Sequence, residues 1–246
     1  MTNNHLSEKD FLSNYDPKIF EKPNTSVDTV IFTVINSDLY VLIMKRAEHP
    51  FKDFWSLIGG FIDLQLDETM EDTAKRKLEE KTGVKTPYLE QFGTIGNKMR
   101  DPRGWSVTTV YFALIPCQDI KLQAGKGAID IKWTKVKNGL IEESLAFDHS
   151  EILSKCYERL RSKVLYTSLP LYLMPKDFTL GELQKTYEII IAKKIDHKSF
   201  RRRITAADIL EENGEMRHEA GRPAVLYRIK DPNRPHFFIR NIEGAT

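Results

Sequence analysis

Apolar and polar positions in the first two thirds of the chain follow a pattern that predicts strands joined by tight turns. Residues 27–35 are rich in β-branched side chains, and a polar turn at 36–38 separates them from the apolar run 39–44. Two such runs around a short Asn/Asp turn are typical of a β-hairpin. Similar runs predict further strands over residues 89–95, 105–115 and 129–136.

Helical periodicity appears twice in the same part of the chain. An apolar stripe at fourfold spacing predicts a helix that Asp67 caps and that Gly83 ends after about Thr82. A second, longer helix is predicted to begin at Asp148, which together with Glu151 has the spacing of a cap pair. Strands and helices in this order fit a mixed α/β (α+β) sandwich.

The last third of the chain has a different pattern. Thr179 and Glu182 have the spacing of a capping box at the start of one helix, and Asp196 is placed to cap a second helix after a short turn. Two strands follow, over residues 209–214 and 224–229. Helix, short turn, helix and hairpin is the order of a winged helix-turn-helix.

These patterns divide the chain into three parts. Residues 1–25 are polar and contain proline, so we expect an extended N-terminal arm. Residues 26–165 form the α/β domain, which ends in the long linking helix, and residues 166–246 form the winged helix-turn-helix domain. The apolar run around residues 169–175 marks the boundary between the two domains.

Composition indicates an ordinary globular protein. The 246 residues are 41% hydrophobic and 29% charged, with a net charge of +2. No apolar run is long enough to cross a membrane, and no secretory signal is evident at Met1. Cys117 and Cys156 form no metal-type cluster, which favours a reducing compartment. We therefore expect a cytoplasmic protein.

Positive charge is concentrated in the second helix of the winged domain. Residues 193–203 contain six Lys or Arg side chains and one acidic residue, Asp196. With Phe200, Ile204 and Ala207 on the buried face, the cations point outward, and Arg203 lies near the edge of the core. A basic amphipathic helix can also be a merely solvated face, but its place in a helix-turn-helix favours DNA binding. The predicted DNA-binding residues are Lys193, Lys194, Lys198, Ser199, Arg201, Arg202, Thr205, Arg217 and Arg222.

Residues 59–84 carry a second motif. Counted back from Gly83, they resemble the Nudix box, Gly-x5-Glu-x7-Arg-Glu-U-x-Glu-Glu-x-Gly-U, where U is a bulky aliphatic residue. Glu68, Arg76, Leu78 and Glu80 match positions of the box. The glycine before Glu68 is displaced by two residues. A shift of the alignment by one residue would place a lysine at the buried aliphatic position, so we reject it.

Two acidic positions of that box are lysines here. Lys77, Glu80 and Lys81 are spaced i, i+3 and i+4, so they share one face of the helix. Mg²⁺ prefers oxygen ligands, whereas a face with two ammonium groups suits an anion such as a diphosphate. The alternative is that both lysines are ordinary solvated positions. We predict a binding site without a catalytic or metal-binding role.

Taken together, the two halves resemble the NrtR-type, Nudix-related transcriptional regulators of NAD metabolism. The resemblance covers nearly everything from Tyr15 to Ile229. It is carried by the following segments: 27–33, 59–84, 100–104, 147–149, 178–187, 196–204 and 221–228. It implies a Nudix sandwich with a C-terminal winged helix-turn-helix. It also implies a homodimeric repressor of NAD synthesis or salvage genes, which binds a palindromic operator and senses ADP-ribose or a related nucleotide as its effector, with no cofactor required.

The resemblance also suggests which residues bind the effector. Arg46, Arg100 and Arg103 are candidates to meet a diphosphate, and Phe51, Trp55 and Trp105 are candidates to flank adenine, although each aromatic residue taken singly is more often part of a core. Trp105 stands where relatives often carry another arginine. The complete predicted effector site is Arg46, Gly59, Gly60, Phe61, Lys77, Glu80, Lys81, Arg100, Arg103 and Trp105.

Three functions remain open at this point. The first is a repressor controlled by a nucleotide. The second is an active Nudix hydrolase with a basic accessory domain, since Glu68 and Glu80 are retained. The third is a DNA-binding protein in which the Nudix half serves only for dimerisation.

Overall fold

The computed structural model describes residues 7–83, 88–117, 122, 124, 127–218, 223–239 and 242. A mixed sheet forms the centre of the first domain. Its strands are β1 (Asn24–Ile35), β2 (Asp38–Arg46), β3 (Trp55–Ser56), β4 (Ile58–Phe61), β5 (Tyr88–Asn97), β6 (Ser106–Leu114) and β7 (Ala128–Lys135). The longest strand, β1, pairs with β2 and β4 antiparallel and with β6 parallel. The other pairs are β2 with β3 and β7, and β5 with β6.

Side chains on the two faces of this sheet belong to different apolar clusters. Ile31 of β1 packs with Leu78 of helix α2 (Met70–Thr82), whereas its neighbour Phe32 belongs to the cluster that includes Ile152 and Leu160 of helix α3 (His149–Val164). Because successive side chains of a strand point to opposite faces, β1 is buried on both sides. The sheet therefore lies between helices, which confirms the predicted sandwich.

Both helices begin close to their predicted residues, but neither predicted side-chain cap is present. Thr69, not Asp67, caps α2 in a capping box with Asp72. Asp67 instead accepts hydrogen bonds from Arg76, at 2.6 and 2.5 Å. Asp148 precedes α3 without a capping hydrogen bond. Each aspartate makes a tertiary ion pair that local spacing does not reveal.

The second domain has the predicted order of elements. Helices α4 (Leu180–Ile191) and α5 (His197–Ala206) are followed by the hairpin of β8 (Leu210–Arg217) and β9 (Ala224–Ile229). The capping box of Thr179 with Glu182 is present, and Asp196 caps α5. The ring of Tyr187 meets Phe200 edge-on, at 5.4 Å between centroids, which joins the two helices.

The two domains share one apolar core. Buried residues of α3, of the 3-10 turn Leu169–Leu173 and of both helices of the winged domain belong to a single cluster. The hydroxyl of Tyr187 donates a hydrogen bond to the carbonyl of Thr167, 2.9 Å away, which ties α4 to the segment that follows α3. The linking helix is therefore part of both domains.

The N-terminal arm is not simply extended. It contains a short helix, α1 (Glu8–Asn14), and a 3-10 turn, Pro17–Ile19. The prediction of a purely extended arm was wrong because Ser7 and Asp16 cap these two turns locally. None of the helices in the described part of the chain is long and apolar enough to cross a membrane.

Candidate functional site

A cavity of about 200 Å³ opens beside the ends of β2 and β4 and the start of α3. Most of the predicted effector-binding residues line it, and further lining residues come from the segments 100–103 and 147–149. The predicted residues among its walls are Arg46, Gly59, Gly60, Phe61, Lys81, Arg100 and Arg103.

Gly59 is required by the packing of two strands. A β-carbon at this position would lie 2.3 Å from the carbonyl oxygen of Val27 and 2.4 Å from a carboxylate oxygen of Asp28, which is far inside contact distance. The absence of a side chain lets β4 approach β1 and leaves the Gly59 carbonyl facing α2.

Lys81 reaches from α2 to that carbonyl. Its ammonium donates a hydrogen bond to the Gly59 oxygen at 2.7 Å and lies 3.4 Å from the sulfur of Met44. Burial, reinforced by the charges of Lys77 and Arg46, lowers the pKa of Lys81 to about 8. The helix thus places a cation inside the cavity, at a position where the Nudix box has a carboxylate.

Arg100 is at the centre of a buried ion cluster. Its guanidinium donates two hydrogen bonds to Asp148, both of 3.0 Å, and one to Asp28 at 3.2 Å. Burial disfavours the charged form, but the two carboxylates outweigh it and raise the pKa of Arg100. Its guanidinium is therefore already engaged, and we infer that it positions β1 and α3 around the cavity.

His149 completes this cluster from the first turn of α3. Its Nδ1 accepts the backbone N–H of Leu57 at 3.0 Å, and its Nε2 lies 3.6 Å from Asp28. Burial lowers the pKa of His149, so the ring is neutral near pH 7 and carries its proton on Nε2, toward Asp28.

The other two arginines lie over aromatic rings at the wall of the cavity. The guanidinium of Arg46 is 4.9 Å from the ring centre of Phe147, and that of Arg103 is 4.9 Å from Phe61. Burial and the charge of Arg103 lower the pKa of Arg46. Arg103 also pairs with Asp101 at 2.7 Å. Together with Lys81, these groups make the cavity favourable for an anion.

Three predicted effector-binding residues, Lys77, Glu80 and Trp105, do not line the cavity. Lys77 pairs with Glu80 at 3.2 Å, and Arg76 holds Glu80 at 3.0 Å. Trp105 lies toward β5, where its ring would contact any side chain placed at Gly96. The ring of Trp105 is also half exposed.

Phe51 and Trp55 also lie outside the lining of this cavity. The rings of Phe51 and Phe147 meet edge-on, with their centroids 4.7 Å apart. The ammonium of Lys132 lies 4.5 Å from the ring centroid of Trp55. Asp67, and not the box residue Glu68, pairs with Arg76. In the described ranges, no group of three His, Cys, Asp or Glu side chains is placed to hold a metal ion.

A second candidate surface lies on α5. Phe200 and Ile204 are buried, which turns the opposite face of the helix to solvent. Lys198, Arg201, Arg202 and Thr205 are exposed on that face, and Ser199 is half-buried beside them. Arg203 lies at the edge of the core, as its position on the helix predicts.

The remaining predicted DNA contacts differ in their surroundings. Arg217 pairs with Glu182 and donates to the carbonyl of Asp177 at 3.2 Å, so its charge is used within the domain. Lys194 pairs with Glu188 at 2.7 Å but remains largely exposed. Lys193 lies in the turn before α5, and Arg222 lies outside the described residues.

Comparison with known proteins identifies both domains. Residues 25–156 match the model of the NUDIX domain, and residues 170–229 match that of the NrtR DNA-binding winged helix domain. The chain is 42% identical to the ADPR responsive transcriptional repressor NtrR of Acinetobacter baylyi, over 98% of this chain and 95% of that protein. The chain belongs to the NrtR family.

Solved NrtR structures share the arrangement. Shewanella oneidensis NrtR complexed with a 27mer DNA is 44% identical, with a TM-score of 0.80 over 88% of this chain and 98% of that one. The NUDIX domain of the same NrtR, complexed with ADP ribose, is 45% identical, with a TM-score of 0.59 over 63% of this chain and 99% of that one. The predicted fold and family are confirmed.

Several residues that line the cavity of this NrtR-family chain were not among the predicted site residues. Asp28, Asp101, Phe147 and His149 all line it. Phe147 has a positive φ of 57°, a conformation that is unfavourable for a residue with a side chain and is often found at functional sites. All four lie in the segments 27–33, 100–104 and 147–149, which carry the resemblance, but the sequence does not show which of their side chains face the cavity.

Proposed function

We propose that this chain is a transcriptional repressor whose winged helix binds operator DNA and whose Nudix domain binds ADP-ribose as an effector. Its target genes serve NAD synthesis or salvage. The observation that carries the proposal is the anion-attracting cavity of Lys81, Arg46 and Arg103. Helix α3 joins this cavity to the cationic helix α5, here called the reading helix. Support comes from related proteins. The Acinetobacter baylyi relative is named an ADPR responsive transcriptional repressor, and Shewanella oneidensis NrtR has been solved with DNA and, as its NUDIX domain, with ADP ribose.

In this proposal the diphosphate of ADP-ribose meets Lys81, Arg46 and Arg103. A guanidinium supplies paired N–H donors to phosphate oxygens, and an ammonium supplies a compact charge. Arg100 keeps its bonds to Asp28 and Asp148 and holds the wall in place. The predicted contacts at Lys77, Glu80 and Trp105 would need a rearrangement, because these side chains lie outside the cavity lining.

We further propose that the Nudix site is catalytically degenerate. Hydrolysis of a diphosphate in such a site uses divalent cations, which acidic oxygens bind. At Lys81 the box carboxylate is replaced by an ammonium bound to the Gly59 carbonyl, and Glu80 is held by Arg76 and Lys77. An assay of AMP release from ADP-ribose with Mg²⁺ or Mn²⁺ tests this. Clear turnover that Glu80→Gln abolishes would establish the hydrolase alternative.

The proposed repressor is a cytoplasmic homodimer on a palindromic operator. Two-fold symmetry lets two reading helices enter successive turns of the major groove. Lys198, Arg201 and Arg202 are placed to meet base edges or phosphates, and Lys193 and Lys194 to meet the backbone.

Helix α3 is the proposed link between effector and operator. Asp148 immediately precedes this helix and His149 is its first residue, and both belong to the buried ion cluster. Near its other end, Arg161 donates to the carbonyl of Ile191 at 3.2 Å, at the last residue of α4. A ligand that favours one position of α3 would therefore change the position of the reading helix, and only such a difference between two states can alter affinity for DNA.

Titration of ADP-ribose into a gel-shift assay with operator DNA tests the sensing function. We expect the apparent affinity for the operator to change. Unchanged affinity at millimolar ligand, together with calorimetry that detects no nucleotide binding, would favour the third function, in which the Nudix half only supports dimerisation.

The affinity for ADP-ribose is expected to fall as pH rises through 8. Below this pH the amine of Lys81, whose pKa is about 8, is protonated and attracts the diphosphate. Above it the charge is lost, because burial and then the neighbouring Lys77 and Arg46 disfavour the charged amine more than Asp28 and Glu80 favour it. Between pH 7 and 9 we expect Kd to rise about tenfold, as the titration of one required cation predicts.

Calorimetry on two variants isolates this effect. Lys81→Met should bind ADP-ribose weakly and lose the pH dependence, whereas Lys75→Met, on an exposed position of the same helix, should keep it. A wild-type Kd that is constant over this range would contradict the role assigned to Lys81.

A further inference from the structure

The N-terminal arm has a regular apolar surface that the described residues of its own chain do not cover. In residues 7–23, here called the apolar arm, every side chain is exposed. Its five large apolar side chains, which are 42–67% exposed, are Phe11, Leu12, Tyr15, Ile19 and Phe20. The arm is nevertheless regular, since the hydroxyl of Ser7 accepts the N–H of Asp10 at 3.2 Å and the rings of Phe11 and Tyr15 are 5.6 Å apart.

Such a segment requires a partner. A helix of seven residues is marginal in water even when it is well capped. Contiguous exposed apolar residues are typical of interaction surfaces. The caps therefore fix the shape of a surface whose stabilising contacts lie outside the described part of this chain.

A second uncovered apolar surface surrounds the point where the arm joins the sheet. We call it the apolar rim, and it consists of Phe61, Leu64, Leu66, Met99 and Trp105, all exposed. The backbone N–H of Asn24, at the start of β1, donates to the carbonyl of Trp105 at 3.0 Å. Pairing of Ser26 with Phe61 places the end of β4 on the other side of β1. The rim therefore lies on both sides of the root of the arm.

We propose that the apolar arm of each chain packs on the apolar rim of a second copy of the same chain, in a reciprocal two-fold exchange. This inference rests on the proposed homodimer and specifies its interface. Within one chain the two surfaces are joined at Asn24, yet both remain exposed. A second copy supplies both complementary surfaces at once, because a two-fold interface is self-complementary.

The size of the surface fits this occupant. Aromatic side chains bury on the order of 150–250 Å² each, so the five half-exposed side chains, three of them aromatic, supply roughly 500 Å² per arm. Two arms and the two rims that they cover then bury about 2,000 Å², within the range of stable protein interfaces. The rim residue Phe61 also lines the cavity beneath Arg103, so the interface would border the anion site.

Disulfide trapping between two different variants distinguishes a second copy from the chain itself. Tyr15→Cys and Met99→Cys proteins are purified separately, mixed and oxidised. We expect a covalent pair of chains that contains one of each variant. The unsubstituted chain, which has Cys117 and Cys156, and a mixture of Tyr15→Cys with Ile239→Cys serve as controls. If the mixture gives no mixed pair, while a chain with both substitutions forms an internal disulfide, the inference is overturned.

Sedimentation of the full chain gives an independent measurement. Phe11→Ser combined with Phe20→Ser should raise the dimer dissociation constant by about tenfold or more, as expected for anchor residues of an interface. Leu140→Ser combined with Ile239→Ser, at exposed positions outside arm and rim, should leave it unchanged. If the arm variant dimerises as well as wild type, the inference about the arm is overturned, but the proposed homodimer is not. A wild-type chain that is monomeric at micromolar concentration also removes the proposed homodimer.

Discussion

Replacement of Arg100 by methionine is expected to lower the free energy of unfolding by about 3–5 kcal/mol, as does the loss of one partner of a buried ion pair. The guanidinium is 5% exposed and binds Asp28 and Asp148, which are 9% and 16% exposed. Methionine fills part of the volume but leaves both carboxylates without this partner. The midpoint of thermal unfolding should fall by roughly 10 °C.

Two further variants test the cause of this loss. Lys155→Met removes an ion pair with Glu151 that is largely exposed, so it should cost no more than about 1 kcal/mol. Adding Asp148→Asn to Arg100→Met should recover part of the lost stability, because it removes one of the two carboxylate charges that Arg100 balances. If Arg100→Met melts like Lys155→Met, the ion cluster does not hold β1 and α3 together.

Reversal of charge on the reading helix should have the largest effect on DNA binding. Lys198→Glu combined with Arg202→Glu is expected to weaken binding to an operator fragment, selected from random DNA, by roughly a hundredfold or more, since each contact to a base contributes about 1–3 kcal/mol. Both side chains are exposed on the face opposite Phe200 and Ile204, so the fold should be preserved. Fluorescence anisotropy measures the affinity at fixed salt.

A control with the same change in net charge separates local contacts from the overall field. Lys75→Glu combined with Lys135→Glu changes an exposed and a half-buried position of the Nudix domain. The affinity of this control for the operator fragment should fall several-fold at most, because salt screens charges that lie more than about 10 Å apart. Equal losses in both variants would mean that α5 does not contact the operator.

Local patterns predicted the elements well where local interactions decide them. The hairpin of β1 and β2 turns at Asn36 and Ser37, both of which adopt positive φ, as its polar turn predicted. The capping box of Thr179 and Glu182 was also correct, since both partners are only three residues apart. The cap at Asp67 was wrong because a distant partner competes: Arg76 takes its carboxylate.

The candidate site was only partly predictable for the same reason. Most of the chosen residues line the cavity, but the direction of each side chain depends on strand register and on tertiary partners. Trp105 turns toward Gly96, whereas the backbone of Phe147, with its positive φ, brings that ring into the cavity. Arg100 was identified as a site residue, but its two carboxylate partners lie 72 and 48 residues away. Spacing along the chain contains no such information.

The continuous core from α3 through Tyr187 to Phe200 limits how this regulator can be re-engineered. A chimera that joins a foreign sensor directly to residue 166 would remove α3 from the shared core and expose the apolar side chains of the winged domain that pack on it. The natural unit of exchange is the winged domain together with that helix. A new sensor domain would have to be joined at the cavity end of α3, so that the winged domain keeps the helix that connects it to the sensor.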